Sequence, residues 1–403
     1  MKIAIFTPTF LPKCSGAEIF HHNLAREFAA MGHQPIVIIP RSFHRRLPPS
    51  LSYRAIGFPA NIWSYFKYSP SAAFFLNRVA LDHLQKRHGF NVWHTVVLSP
   101  SGVCFANWQY RRRIPGLIRA VGDDVQPVVT EEKRSGMRSL VRKWIPRAQR
   151  IVSLSHDMSS QLQELGVRRD RIEIIPNAVD FGRFSAPVDK FSLRQKNGVP
   201  SDAFIFLCVA RNHPQKDFPT LLSAFQKVLD FNTKRKFHLL IVGRGVLLLS
   251  ELLVNLGIQN EVTLKEVSPS ANEGTDFPPQ ELVDLYRLAD VFVLSSLLEG
   301  FSSALLDAMA AGLPVVATNV PGIVDQVKND IHGLLCECRN THQFSASMLA
   351  IANGEDKYAF FSRNSSSTAK EFSWRQTAEK YLAAYNKIIS QSSEKCHLIH
   401  QSE

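Results

Sequence analysis

Two carboxylates with seven residues between them, Glu299 and Asp307, flank a helix start in LADVFVLSSLLEGFSSALLDAMAAGLP, residues 288–314. Ala289 to Ser296 form a short apolar run with Val291 and Val293 branched at Cβ, which predicts a buried strand ending in a polar loop. Ser302 is placed to cap the helix that follows, Gly312 to end it in a left-handed turn, and Pro314 to stop its continuation. A parallel strand feeding a helix in this way aims unpaired backbone N–H groups, at Ser302, Ser303 and Ala304, beyond the strand end. Such an end binds phosphate through those donors and the helix dipole. Carboxylates beside a phosphate are electrostatically disfavoured, so the two acids need another partner. Vicinal sugar hydroxyls suit them, because an ionised carboxylate presents two acceptor oxygens. The competing reading is an ordinary solvated pair of acids around a helix start.

The longer stretch ADVFVLSSLLEGFSSALLDAMAAGLPVVAT resembles the donor-site signature of family 4 retaining glycosyltransferases, which have the GT-B fold. The resemblance implies that Glu299 holds hydroxyls of the transferred sugar and Asp307 the ribose of a nucleotide, with Phe301 in the same donor loop. Three positions depart from the family pattern: Ser295 stands where Pro is common, Ser302 where Gly is common, and Asp307 where Glu is common. Asp is one methylene shorter, so a weaker or water-mediated ribose contact is expected. AFIFLCVARNHPQKDF is similar to the family's basic loop, with Arg211 and Lys216 at its two cationic positions. Preorganised cations there would stabilise the charge that gathers on a leaving diphosphate. Asp217 replaces the usual glycine, so an altered loop backbone is expected. Gly243, Arg244 and Gly245 form the next strand-to-helix turn, which in the family lies near the nucleotide.

The elements that must position these residues need a long chain. With 403 residues, 45% hydrophobic and 20% charged, the composition is that of a globular protein of two domains. Nothing from Met1 onward resembles a signal peptide, and no uncharged apolar run approaches the length of a membrane span. The six cysteines (Cys14, Cys104, Cys208, Cys336, Cys338, Cys396) form no CxxC pair, which fits a reducing cytoplasm and suggests no metal site. The net charge of +12 is uneven: residues 1–182 hold 25 Lys and Arg against 12 Asp and Glu, leaving 22 against 23 in the remainder. That surplus favours an anionic surface or substrate for the first half. Arg134, Arg138 and Arg142, spaced by four, share one face of a predicted helix within Glu131–Arg150. Docking on an anionic membrane is one use of such a face. No nucleic-acid module accompanies it, so no nucleic-acid partner is expected.

The first half opens with a strand, Ile3–Thr7, a loop holding Cys14, Ser15 and Gly16, a helix Ala17–Met31, and the strand QPIVIIP. This is the first unit of a Rossmann-like half, without the GxGxxG of a nicotinamide dinucleotide site. The resemblance brings its loop, through Gly16, toward the donor diphosphate and the acceptor. Ile62–His88 predicts a helix whose apolar face is Phe66, Phe74, Phe75, Val79 and Leu84. His94, inside the strand Asn91–Leu98, reads as a packed histidine. Phe105, Trp108 and Tyr110 run into Arg111, Arg112 and Arg113. After the strand Leu117–Val121, Gly122, Asp123 and Asp124 turn at the carboxyl edge, where open parallel sheets bind ligands. Many family members have a histidine where this chain has Val121. Its absence makes Asp123 or Asp124 candidates for gripping the acceptor or sugar, and Arg111 is a further acceptor-side candidate. Asn177 and Asp180 read as residues that shape the linker.

The expected architecture is therefore α/β: a GT-B arrangement of two Rossmann-like domains facing across a cleft. Residues 1–182 form the acceptor domain, with a C-terminal helix 376–390 packing back on it, and 183–375 form the donor domain. The polar tail from Ser390 is expected to be mobile. The implied activity is transfer of a hexosyl unit, with retention, from a nucleoside diphosphate sugar to the hydroxyl of a glycan or lipid-linked acceptor. The implied setting is bacterial surface polysaccharide or glycolipid synthesis, cytoplasmic or peripheral on the inner face of the membrane, with no metal or other cofactor. A nucleotide-sugar epimerase and a non-catalytic nucleotide-sugar-binding protein are the alternatives on the same fold.

Overall fold

Segments such as Gln34–Pro40 and Phe237–Val242 are apolar at nearly every position and buried along nearly their whole length. That pattern suits parallel strands covered on both faces by helices. The computed structural model describes residues 1–12, 16–48, 50–59, 66, 68–121, 135–231, 235–267 and 276–400, with the side chains of 135 and 393–400 left aside. The chain divides into two units, Met1–Pro176 with Trp374–Glu403, and Asn177–Ser373.

In the first unit the strands are β1 (Lys2–Phe6), β2 (Gln34–Pro40), β3 (Arg54–Phe58), β4 (Val92–Val96), β5 (Gly116–Arg119), β6 (Arg150–Ser153) and β7 (Ile172–Ile174). They pair in parallel in the order β3-β2-β1-β4-β5-β6-β7, so the direction of winding reverses between β1 and β4. The helices include α1 (Gly16–Ala30), α2 (Pro70–His88), α3 (Val103–Arg112) and α4 (Ser135–Trp144). Ser69 caps α2 by accepting from Ala72 N, and Gly89, at φ 61°, ends it.

The buried face of α2 differs from the expected one. Ala73, Asn77 and Leu81 point inward, one turn apart, whereas Phe75 and Val79 are 55% and 51% exposed. Asn77 is tolerated inside because its amide donates to the Ala73 carbonyl at 2.8 Å. Small Ala73 on this row lets the helix lie close to its neighbours, and the large rings turn outward. Arg150, the last cation of the basic run within Glu131–Arg150, is 4% exposed at the start of β6 and bonded to Glu173 at 2.9 Å.

The second unit holds β8 (Phe204–Val209), β9 (Phe237–Val242), β10 (Val262–Lys265), β11 (Val291–Leu294), β12 (Val315–Thr318) and β13 (Gly333–Cys336), again all parallel. Their order is β10-β9-β8-β11-β12-β13, and the reversal falls between β8 and β11. Helices α5 (Gln280–Leu288) and α6 (Ser303–Ala310) flank β11 in sequence. The unit begins at Asn177, earlier than the expected boundary at 182. The Asn177 amide already donates to the Phe301 carbonyl at 3.1 Å and to Ser303 Oγ at 2.9 Å, and Val179 pairs with Ser373. Asp180 caps the next short helix, Phe181–Ser185.

The chain then returns to the first unit as α7 (Trp374–His400), which continues past the point where a mobile tail is expected. Two of its tyrosines seat it. Tyr385 Oη lies 2.7 Å from His94 Nδ1, and Tyr381 stacks on the His94 ring at 5.0 Å. Arg119, at the end of β5 and 1% exposed, donates to Tyr381 Oη and lies over the Phe20 ring of α1 at 3.5 Å. Burial, with His21 and Arg119 nearby, holds the His94 pKa well below the usual histidine range, so the ring is a neutral packed group. Among the described residues no helix is long and apolar enough to cross a membrane. Tyr385→Phe removes one hydroxyl and leaves both nitrogens of a buried ring unpaired. It is expected to cost about 1–3 kcal/mol in urea unfolding, a loss that an unchanged midpoint and slope would contradict.

Candidate functional site

In an open parallel sheet the loops leaving two neighbouring strands diverge only where the winding reverses, and ligands bind there. In the second unit that place is the carboxyl end of β8 and β11. The loops that leave them are stitched together by hydrogen bonds. Leu297 N donates to the Gln215 carbonyl at 2.7 Å, and Ser295 Oγ donates to the carbonyls of Lys216 and Asp217 at 2.8 and 3.0 Å. Asp217 takes the left-handed conformation, φ 47° and ψ 50°, so the turn keeps a glycine-like backbone despite the substitution that was expected to change it. Asp is among the few residues that tolerate this region, and Thr220 Oγ1 further holds its carboxylate at 2.6 Å.

These turns bring two expected site residues together. Lys216 Nζ lies 2.5 Å from Glu299 Oε1, with side-chain exposures of only 17% and 9%. Ser296 Oγ donates to the same carboxylate oxygen at 2.7 Å, and Thr318 Oγ1 in turn donates to the Ser296 carbonyl. Both hydrogen bonds to the carboxylate among the described residues fall on Oε1, and Oε2 takes part in neither. Gly322 backs the loop. A Cβ added there would lie 2.1 Å from the Glu299 carbonyl oxygen.

The turn after β9 abuts the basic loop. Gly243 has φ 152°, and a Cβ on it would fall 2.1 Å from the Ala210 carbonyl oxygen and 3.2 Å from Arg211 N. Asn212 ties the two turns, donating from its backbone to the Arg244 carbonyl at 2.9 Å and from its amide to the Gly245 carbonyl at 3.1 Å. Gly245 N donates to Glu266 Oε1 at 2.5 Å. Arg211 and Arg244 are therefore exposed cations on adjoining loops.

At the start of α6, Ser302 Oγ accepts from Leu305 N at 3.3 Å, the cap that was expected. The Ser302 N–H is not an open donor. Gln326 takes it at 2.8 Å and donates back to the Ser302 carbonyl at 2.8 Å. Ser303 and Ala304 remain as the open N–H groups of the first turn among the described residues. Phe301 gives its ring to the core, 7% exposed and 6.0 Å from Phe372, so it supports the loop from beneath. Asp307 was expected to be ionised. Burial raises its pKa to about 8, with Arg183 opposing the shift, so the carboxyl is mostly protonated at neutral pH. A neutral carboxylic acid donates one hydrogen bond and still accepts. The hydroxyl of Tyr286, fully buried on α5, has no partner among the described residues, and the charge of Asp307 adds to the burial that raises its pKa.

The first unit contributes less that can be placed. Gly16 is exposed at the first position of α1. Asp123 and Asp124 lie outside the described residues. Arg111 is exposed in the last turn of α3, at the edge from which β5 starts and not the carboxyl edge expected for an acceptor contact. Sequence reasoning missed Ser296, Gln326 and Asn212 as supports of the site and read Asn177 as a linker residue. Gln326 is 24 residues from Ser302, and Asn177 is 126 residues from Ser303, so no local pattern marks them.

Related chains carry the same framework. The model of the family described as Glycosyltransferase Family 4 matches residues 14–183, and that described as Glycosyl transferases group 1 matches residues 189–368. A D-inositol 3-phosphate glycosyltransferase from Nocardia farcinica is 31% identical over 278 residues, 67% of this chain and 58% of that protein. The chain thus spans less than two thirds of that relative's length. An Escherichia coli UDP-Gal:alpha-D-GlcNAc-diphosphoundecaprenol alpha-1,3-galactosyltransferase is 28% identical over 68% of this chain and 70% of its own. An N-acetyl-alpha-D-glucosaminyl L-malate synthase from Bacillus anthracis is 24% identical over 96% of each chain. Among solved structures, a Rickettsia africae glycosyltransferase matches 96% of this chain and 99% of its own at TM-score 0.78 and 21% identity. Anabaena HepE in complex with UDP matches 96% of this chain and all of its own at TM-score 0.76 and 18% identity.

Gly322→Ala forces the Glu299 loop to shift and is expected to cost about 1–3 kcal/mol of stability, read by urea unfolding. Asp307 has a folded pKa above its unfolded value, so the native state binds its proton more tightly and stability falls as pH rises from about 4 through about 8. Asp307→Asn is expected to flatten that decline. A pH–stability curve in which the variant keeps the wild-type slope across this window would contradict the assignment.

Proposed function

The chain belongs to glycosyltransferase family 4 and has the GT-B fold, and from that premise we propose that it transfers a hexosyl unit from a nucleoside diphosphate sugar to an acceptor hydroxyl with retention of configuration. The observation that carries the proposal is the nearly dry Lys216–Glu299 pair between β8 and β11, beside the open N–H groups of α6. The diphosphate sits on the Ser303 and Ala304 amides, with Lys216 and Arg211 countering its charge. Glu299 Oε2 accepts from hydroxyls of the transferred sugar. Asp307, mostly protonated, exchanges hydrogen bonds with the ribose, and Arg244 lies on the nucleotide side.

The glycosidic C–O bond breaks toward the diphosphate, whose leaving oxygen gains the electron pair. The acceptor oxygen bonds the anomeric carbon on the same face, and its proton passes to that leaving oxygen. Charge grows on the phosphate as this happens. Cations already in place stabilise it without reorganising, which is where most of such a rate enhancement arises. No metal is part of the proposal, since Lys216, Arg211 and the helix amides are assigned the leaving charge.

The donor is proposed to be a uridine diphosphate sugar, since the galactosyltransferase relative is named for UDP-Gal and HepE was crystallised with UDP. A lipid-linked or glycan acceptor in surface polysaccharide or glycolipid synthesis, at the cytoplasmic face of a membrane, is proposed from that same relative, named for a diphosphoundecaprenol acceptor, and from the basic first half.

A thermal-shift panel of nucleoside diphosphate sugars tests the donor: one is expected to raise the melting temperature of the wild type. Release of nucleoside diphosphate on adding lipid-linked acceptors tests transfer. Lys216→Ala and Glu299→Ala are each expected to lower the rate by about 10²–10³. Wild-type rates in both variants would refute the site, and an epimerised sugar formed from donor alone would refute transfer.

A further inference from the structure

Strands β10, β9 and β8 end side by side at the carboxyl edge of the second sheet, and the residues that leave them stay hydrogen-bonded. Between β8 and β9 the ladder continues from Ala210 N on the Val242 carbonyl to Asn212 N on the Arg244 carbonyl, both at 2.9 Å. Between β9 and β10 it runs by alternate residues, with Leu239 N on the Glu261 carbonyl and Gly243 N on the Lys265 carbonyl, again at 2.9 Å. Gly245 N is the next donor in that alternation, and a continued ladder would give it the carbonyl of Val267. It takes a side chain instead. Gly245 turns into the left-handed region, φ 78°, and its N–H donates to Glu266 Oε1 at 2.5 Å.

Glu266 is the first residue past the edge strand β10 and is exposed. The strand end that carries it is anchored, since Lys265 Nζ lies 2.8 Å from Glu281 Oε1 of α5. Gly245 is gripped from its other side by Asn212, whose amide donates to its carbonyl at 3.1 Å. Arg211 precedes Asn212 and Arg244 precedes Gly245, so the two exposed cations of the site stand on backbone that these bonds fix.

An acid beside a diphosphate site opposes binding through its charge. Glu299 is paired with Lys216 and Asp307 is mostly neutral, whereas Glu266 makes no ion pair among the described residues. What Glu266 does locally is supply an acceptor to an N–H that the strand no longer serves, in a bond strengthened by its charge. Without it the turn that carries Arg244 would be held from the Asn212 side alone.

We propose that Glu266 is a positioning residue: through Gly245 and Asn212 it keeps Arg244 and Arg211 where a departing diphosphate gathers charge. The assignment rests on the transfer reading given above and adds the residue that holds its cations in place. Cations already fixed stabilise developing charge without first having to order. Loosening the turn therefore acts more on the bond-breaking step than on binding of the donor.

Hydrolysis of UDP-glucose, UDP-galactose and UDP-N-acetylglucosamine by the full chain, with water as acceptor, is followed by released uridine diphosphate. The kcat and KM are taken for the sugar turned over fastest. Glu266→Ala is expected to lower kcat about tenfold and to leave KM within about threefold. Glu266→Gln keeps an acceptor for Gly245 N and is expected to restore most of the rate. Asn212→Ala acts through the same turn, so its combination with Glu266→Ala is expected to cost less than the product of the two single losses. Melting temperatures should match the wild type, since both side chains are exposed. A wild-type kcat in Glu266→Ala, a loss confined to KM, or independent losses in the double variant would each overturn the proposal. So would a Gln variant as slow as Ala, which would mean that the charge itself meets the nucleotide. An unaffected Glu266→Ala beside an active wild type defeats the positioning role alone. A wild type that releases no diphosphate from any of the three sugars defeats the uridine diphosphate sugar reading, and the positioning role with it.

Discussion

An ion pair with little access to water is costly to assemble, and the arrangement around Lys216 and Glu299 is what makes it tolerable. Desolvating both charges opposes their attraction, so such pairs persist when further hydrogen bonds satisfy the remaining valences. Ser296 supplies one directly, and Thr318 fixes Ser296. The two loops that carry the charges are joined by Leu297 N and by Ser295 Oγ, so lysine and carboxylate approach on a shared frame. Each depends on strand order. Were β8 and β11 separated by another strand, no such bonds could form.

Around that pair the backbone is drawn unusually close. Gly243 sits where any side chain would strike the Ala210 carbonyl, and Gly322 where one would strike the Glu299 carbonyl. The first brings a turn against the basic loop, and the second holds the acidic loop from behind. Gln326 does comparable work on α6 by occupying both the N–H and the carbonyl of Ser302. The helix end therefore offers two amides where three were expected. Asp307, one turn in, is kept mostly neutral by its surroundings. The balance of charge thus differs from a simple picture of two anions beside a phosphate. Repulsion comes mainly from Glu299, and that carboxylate is already neutralised by Lys216.

The first unit spends its buried polar groups differently. His94, Arg119, Tyr381 and Tyr385 serve to seat α7, and the ring nitrogens of His94 are far from titrating near neutral pH. Helices α2 and α3 and the segment 135–147 carry nine of its Lys and Arg against one acid, Asp82. Turning small Ala73 and Leu81 inward on α2 closes the packing and leaves Phe75 and Val79 outside, so the same rotation that completes the core creates the exposed apolar face.

Features whose causes are local could be read from the chain itself. The strand and helix of residues 288–314, the Ser302 cap and the spacing of Glu299 and Asp307 rest on periodicity and on residues within a few positions of one another, and the basic loop with Arg211 and Lys216 is marked by its resemblance to a family motif. So did the alternation of strands and helices that makes two parallel sheets. Tertiary structure alone decided what happens when distant segments meet. It assigned Gln326 to Ser302 and Asn177 to Ser303, placed Arg111 at the edge from which β5 starts, turned Ala73, Asn77 and Leu81 of α2 inward, and raised the pKa of Asp307 through burial. Hydrogen-bond partners chosen across 24 or 126 residues, and the dielectric around a side chain, are properties of packed neighbours. A one-dimensional pattern records which groups are polar, and only the folded chain determines which of them water can still reach.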